Sequence, residues 1–282
     1  MPALHDIEVR GKYKWLHTAI IIVLIFGIPF RIFPFVWMIT NMFKENLEVF
    51  RFPPTFLPEV FLWHNVRDAF VKYNLAGNLW NSVVLCAGVI AIQVPTSALA
   101  AFSLSRLKPK GAKFMLLFFV GTMMINGQAI IVPTYIMMGW LGLINSFWSV
   151  ILSLSAWGWS VFVFKGFFDS FPRDLLEAAR IDGASNMLTF GIIVIPLTKP
   201  VFSVVILNTF RAVYNQFMFP LMLLSDSEKW TIMIRIYAAQ EGSAQWNHVM
   251  VMLTFAIIPI VLFYLLMQKN IVQGITMTGL KG

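Results

Sequence analysis

Asn208, Arg211 and Asn215 stand three and four residues apart, with Gln216 beside the last, in a run from Pro200 to Leu224 whose sole charge is Arg211. On an α-helix those positions share one face. Their amide and guanidinium groups are hydrogen-bond donors suited to a hydroxyl-rich solute, and Tyr214, Trp157 or Trp159 can supply an apolar platform for a sugar ring. An arginine at the centre of a membrane helix costs at least about 2.5–3.5 kcal/mol, so the stripe is expected to face protein or a water-filled path. A polar contact between two membrane subunits would meet the same demand.

A second pattern runs Asp169-Ser-Phe-Pro-Arg-Asp-Leu-Leu-Glu-Ala-Ala-Arg-Ile-Asp-Gly183. Ser170 or Asp169 can cap a helix here, Pro172 suits a first turn, Asp174 and Glu177 lie toward the positive end of the helix dipole, and Gly183 can take the left-handed stop. Leu175, Leu176 and Ala179 fall on one face and leave Arg173, Glu177 and Arg180 to water or a partner. Small Ala178 and Ala179 would let another surface approach closely. A helix lying on lipid headgroups would carry the same pattern.

Other chemistry finds no residues to perform it. The sequence has no G-x-x-x-x-G-K-[ST] loop to cradle nucleotide phosphates, no H-E-x-x-H and no G-x-S-x-G. His5, His17, His64 and His248 are dispersed singly, and Cys86 is the only cysteine. No catalytic residue, metal site or disulfide framework is expected.

The elements that must hold these patterns are membrane helices. In 282 residues, 59% hydrophobic and 12% charged residues with a mean hydropathy of +0.76 exclude a soluble globule. Apolar runs predict an all-α, polytopic membrane protein with six transmembrane helices, at about 15–40, 82–104, 114–136, 146–164, 190–224 and 249–271. A tight turn is expected near Gly139 to Asn145, and lone Gln93 and Asn126 are expected to hydrogen-bond between helices. Residues 1–14 precede this membrane domain of 15–273, residues 165–189 form an organised connector within it, and 274–282 form a tail. The first span follows Arg10, Lys12 and Lys14 and lacks small residues at a cleavage site, as an uncleaved helix would.

Charge orients the chain. With the amino terminus inside, the inner segments hold Arg10, Lys12, Lys14, Arg106, Lys108, Lys110, Lys113, Lys165, Arg173, Arg180, Lys199, Lys269 and Lys281. The longer outer segments, near 41–80, 137–146 and 225–247, hold Lys44, Arg51, Arg67, Lys72, Lys229 and Arg235. That asymmetry predicts both termini in the cytoplasm. It also accounts for the net charge of +8 without a nucleic-acid partner. The Arg106–Lys113 turn needs no explanation beyond topology on this reading.

Glu177-Ala178-Ala179, three residues, Gly183, nine residues, then Ile193-Val194-Ile195-Pro196 is similar to the EAA motif of the membrane subunits of bacterial ABC importers, with Ile195 where leucine is usual. Phe33-Pro34-Phe35-Val36-Trp37-Met38 with Phe43-Lys44, Asn81-Ser82, Tyr214-Asn215-Gln216-Phe217 with Pro220-Leu221, Trp246-Asn247, and the closing segment from Gly274 resemble carbohydrate-importer permeases, the smaller permease subunit of maltose transporters among them. Tyr214 stands where those proteins usually have tryptophan. The resemblance implies that Glu177, Ala178, Ala179, Asp182, Gly183 and Pro196 belong to a short cytoplasmic coupling helix and its support, docked on an ATP-hydrolysing subunit. It further implies a bacterial inner-membrane location, a second homologous permease, two ABC ATPase subunits that carry ATP and magnesium, and an extracytoplasmic solute-binding protein. This chain would bind no cofactor and do no covalent chemistry.

Rival functions differ in one feature each. A proton- or sodium-driven carrier would show an intramembrane carboxylate, and the six predicted spans contain none. A passive channel gives no reason for the organised 165–189 loop. A permease for phosphate esters such as glycerol phosphate, or for peptides, would share everything up to the substrate, and Arg211 could serve an anion.

Overall fold

The computed structural model describes residues 14–242 and 244–279. The expected segment 1–14 thus lies, except for Lys14, outside the described residues, as do 280–282 of the expected tail. Among the described residues the elements are all helices: α1 (Lys14–Asn41), α2 (His64–Lys72), α3 (Leu75–Phe102), α4 (Ala112–Met124), α5 (Ile131–Trp140), α6 (Phe147–Leu154), α7 (Gly158–Asp169), α8 (Arg173–Ile181), α9 (Lys199–Tyr214), α10 (Met218–Leu223), α11 (Ile232–Glu241) and α12 (Trp246–Gly279), with shorter turns between. Three stretches are long and apolar enough to cross a bilayer unbroken, 17–41, 75–107 and 246–269. Three bent pairs complete the set, so six crossings result when each pair is one span, and the fold is all-α and polytopic.

The bends correct the simple picture of straight rods. The expected span 114–136 breaks after Met124, where Ile125 is extended and Gly127–Trp140 leaves at 96°. Asn126, expected to bond between helices, instead accepts from the Gln128 amide at 3.0 Å and caps the new turn. The span 146–164 continues to Asp169 but bends by 45° around Ser155–Trp157. The span 190–224 is cut three ways, with an 81° bend between Asn186–Leu197 and α9 and a second stop at Asn215. Pro196 and Pro200 sit four apart at that bend, where a proline ring displaces the carbonyl four residues back and removes a donor. The span 82–104 already begins at Leu75, and the helix expected at 249–271 runs from Trp246 to Gly279.

Two compact units divide the chain. The first comprises residues 1–69 and 244–254. None of the most apolar window of α1 is buried within this chain, which leaves that helix to lipid or another subunit. After it, Lys44 is 1% exposed. Its Nζ donates to the Thr55 carbonyl and lies 4.8 Å from the Trp37 ring centroid. Burial lowers its pKa, against the Glu48 carboxylate. The Lys44 carbonyl accepts from Asn65 Nδ2 at 2.9 Å and Asn247 Nδ2 at 3.2 Å. Phe43-Lys44 and Trp246-Asn247, two distant fragments of the resemblance, thus meet as one structural knot.

The second unit comprises 70–243 and 255–282 and holds the core. Val94, Ala98 and Phe102 of α3, Val161, Phe164 and Phe168 of α7, Phe190 and Val194, and Val201 and Val205 of α9 pack together. An added Cβ at Gly158 would collide with the Phe119 carbonyl oxygen, so only glycine lets α7 start this close to α4. Asn81 and Ser82 tie a return loop to α3. Asn81 Nδ2 donates to the carbonyls of Glu228 (2.7 Å) and Trp230 (3.1 Å), and Ser82 Oγ accepts from the Ile232 amide at 2.9 Å. The tight turn forms as expected, with Gly142 and Asn145 at φ +67° and +61°. Asn145 donates its amide to the Leu223 carbonyl at 2.8 Å.

Candidate functional site

The 165–189 connector folds into α8, and its carboxyl end is built as the sequence suggests. Gly183 has φ +81°, its amide donates to the Arg180 carbonyl at 3.0 Å, and the Ala184 amide donates to Ala179 at 2.9 Å. These two bonds are the pair of a Schellman stop, which satisfies carbonyls that a helix end leaves over. The amino end departs from expectation. Pro172 occupies the capping position with no side-chain cap. Ser170 Oγ turns back to the Phe167 carbonyl at 2.8 Å. Asp169 is held elsewhere, accepting from Ser105 Oγ and Lys165 Nζ, both at 2.6 Å.

Glu177, Ala178, Asp182 and Gly183 are exposed on α8, whereas Ala179 is buried, and Pro196 is exposed on the short turn Ile195–Leu197. Ile181 is 86% exposed, and Leu175 and Met187 are also open. An amphipathic helix this short cannot hold itself in water. It is held by the basic turn 103–107, a π-helical turn after α3, in which the Arg106 guanidinium donates to the carbonyls of Phe168 and Phe171. Those carbonyls end α7 and lead into α8. Arg106 and Ser105 therefore do more than set topology, and they are the residues sequence reasoning missed. Their partners lie more than sixty positions away, beyond any local pattern.

The polar stripe of α9 forms, but its members part company. Arg211 and Asn215 are exposed and Asn208 is half-buried. Arg211 Nη2 donates to Asn208 Oδ1 at 3.4 Å, and Asn215 Nδ2 donates to the Arg211 carbonyl at 2.8 Å. Trp159, Asn208 and Arg211 line a cleft of about 260 Å³. Trp157 and Gln216 line a different cavity, of about 300 Å³. The rings of Trp157 and Trp159 stack between them, 5.0 Å apart at 29°.

Tyr214 belongs to neither. It is 1% exposed, its Oη donates to the Ala256 carbonyl at 2.9 Å, and its ring stacks on Phe210 at 5.6 Å. Its expected part as a sugar platform is corrected to packing between α9 and α12. The register explains this: Phe210 and Tyr214 are four apart and share the face turned to α12, while Arg211 and Asn215 are the next residue round. Gln93 does link helices as expected, its Nε2 donating to Ser160 Oγ at 2.7 Å. Among the described residues no group of His, Cys, Asp and Glu could hold a metal ion.

Comparison with known proteins adds a family. Residues 93–277 match the binding-protein-dependent transport system inner membrane component. The chain is 33% identical to the sn-glycerol-3-phosphate transport system permease protein of Pectobacterium atrosepticum, over 94% of this chain and 96% of that one. It is 31% identical to the trehalose/maltose transport system permease protein of Thermococcus litoralis, over 89% and 92%. Its fold is similar to a crystal structure of a bacterial ABC transporter involved in the import of the acidic polysaccharide alginate, with a TM-score of 0.78, 17% identity, and 92% and 97% of the two chains covered.

Proposed function

The chain belongs to the family of binding-protein-dependent transport system inner membrane components, and from that premise we propose a division of labour among its residues. It is a membrane-spanning permease subunit of an ABC importer, a transport component and not an enzyme, that works with an ATPase and a solute-binding protein. The solute is a sugar or oligosaccharide. Around a central path the subunit pairs with a second, homologous permease, and two ATPase subunits bind ATP and magnesium. The asymmetry of the basic residues supports both termini and α8 lying in the cytoplasm of the bacterial cell.

One observation supports this most directly: α8 projects Glu177, Ala178 and Ile181 outward while Arg106 and Asp169 lock its base to α3 and α7. Such a helix moves with whatever grips its exposed face and passes that motion to the two membrane helices. ATP binding draws the ATPase subunits together, α8 follows, and the path changes between inward- and outward-facing states. The test is Glu177→Lys and Gly183→Asp in reconstituted transporter. Both variants are expected to insert normally and lose most ATP-driven uptake, and full uptake by both would overturn the coupling role.

A second reading has its own support. Glycerol-phosphate permeases stand among the relatives, and Arg211 opens onto a cleft where it could meet an anion.

A further inference from the structure

Two clefts meet on the open side of α3 and α4. One, of about 620 Å³, lies between Ala100 and Leu104 on one wall and Phe114 and Phe118 on the other. The second, of about 500 Å³, continues it past Thr96 and Thr122 as far as Trp157, and the two share Ala100, Phe118 and Phe119, so they form one groove. No residue lining it is charged. The hydroxyls of Thr96, Thr122 and Ser155 donate to the carbonyls of Ile92, Phe119 and Ile151 a turn back in the chain, which spends them internally. None of the residues of α4 is buried, and Phe114 and Phe118 are 79% and 72% exposed, so among the described residues this wall stands open.

Length and charge identify the occupant. From Ile92 to Leu104 the groove follows twelve residue steps of α3 and the turn after it, about 18 Å at about 1.5 Å per residue. Half of a hydrocarbon core about 30 Å thick is about 15 Å, so the groove matches the depth of one leaflet. Its end at Leu104 and Phe114 adjoins the turn 103–113, where Arg106, Lys108, Lys110 and Lys113 stand with no acidic residue among them. Arg106 is committed to the carbonyls of Phe168 and Phe171, and Lys108 shares a small cleft under α8 with Glu177 and Arg180. Lys110 and Lys113 remain, both exposed and in no ion pair among the described residues. Membrane orientation accounts for basic residues at this end of the helices, but not for an apolar groove one leaflet deep that ends on them. A free phosphate would use the lysines and leave the groove empty, and an apolar helix of another subunit would fill the groove and leave the lysines bare. An acyl chain with an anionic head uses both.

We propose that this groove holds one acyl chain of an anionic phospholipid, with its phosphate at Lys110 and Lys113, in the leaflet that the basic turn faces. The lipid closes the open side of α4 against α3 beside the turn whose Arg106 holds the base of α8. It thereby braces the joint through which the importer reading passes motion. The site goes beyond that reading and is the same whichever solute is carried.

The test places the complete transporter in phosphatidylcholine vesicles that carry a minor fraction of phosphatidylglycerol, or of phosphatidylcholine, bearing a photoactivatable diazirine on the acyl chain, and maps the labelled peptides by mass spectrometry. At equal mole fraction phosphatidylglycerol is expected to label Ala112–Met124 about fivefold more than phosphatidylcholine, the worth of one lysine beside an anionic headgroup. In Lys110→Gln with Lys113→Gln that ratio should fall to near one while labelling by phosphatidylcholine persists. Ala100→Phe fills the groove and should lower labelling of the segment by both lipids; the exposed lysine pair keeps the test decisive if that variant fails to fold. Excess inorganic phosphate, set against sodium chloride of equal ionic strength, should leave the ratio unchanged, and its loss would assign the lysines to the free ion. Equal labelling by the two lipids would reduce the groove to ordinary boundary lipid, and no labelling of the segment would give it to a partner subunit; either result overturns the site. ATP-driven uptake in the same vesicles separates the readings: selective labelling without uptake supports the lipid site and counts against the importer reading alone.

Discussion

Replacing Arg106 by alanine removes the guanidinium that joins the turn after α3 to the carbonyls of Phe168 and Phe171. Hydrogen bonds to a charged group contribute about 1.5–3 kcal/mol each, and this group is part-buried, so the lower end applies and the pair amounts to about 3 kcal/mol. At 1.4 kcal/mol per tenfold, that is roughly a hundredfold rise in the population in which the base of α8 is detached from α3. The Ser105–Asp169 bond remains as a weaker tie between that turn and the end of α7, and the Lys165–Asp169 pair stays within α7. The ATPase side should therefore still find α8 and hydrolyse ATP, while the motion reaches the membrane helices poorly. In proteoliposomes with uptake and phosphate release measured together, hydrolysis is expected to stay within about twofold and solute moved per ATP to fall at least about fivefold. Arg106→Lys, which can reach one carbonyl at a time, should fall between. An unchanged ratio in Arg106→Ala would refute the reasoning. A parallel fall in both rates, tracking the amount of folded complex, would reduce Arg106 to a stability role.

Tyr214→Phe deletes a buried hydroxyl bonded to the Ala256 carbonyl; it should lower the melting temperature by an amount equivalent to about 1 kcal/mol and leave the half-saturating solute concentration unchanged, as measured by thermal unfolding and uptake kinetics. Arg211→Ala with Asn215→Ala should alter uptake kinetics while ATPase binding, followed by co-purification, is retained, because both side chains open onto the surface of α9 far in role from α8; unaltered kinetics would assign the stripe to subunit packing.

Local patterns were legible where the physics is local. Apolar length placed the crossings, because lipid leaves a chain no option but to satisfy its backbone internally. Gly183 as a left-handed stop and the turn near Asn145 followed from residue type and offset alone. The bends were harder. Pro196, Pro200 and Asn126-Gly127 are visible breakers, yet membrane helices tolerate proline unbroken, as Pro95 within α3 and Pro259 within α12 demonstrate. Whether a proline kinks or stops a helix depends on what neighbours satisfy the freed carbonyls.

The site residues divide in the same way. Helical offsets put Asn208, Arg211 and Asn215 on one face, but they could not say that Tyr214, one step round, turns into the core, or that Trp157 and Trp159 line separate cavities. The chain's own order determined a hydrophobic, basic-asymmetric, all-helical membrane protein with an organised loop, since hydropathy, charge bias and capping act over a few neighbouring residues. Tertiary structure alone decided that Arg106 grips the base of that loop and that Gln93 finds Ser160 as its partner. Those relations join residues more than sixty positions apart, and only the close packing of separate helices brings such groups within the few ångströms over which a hydrogen bond acts.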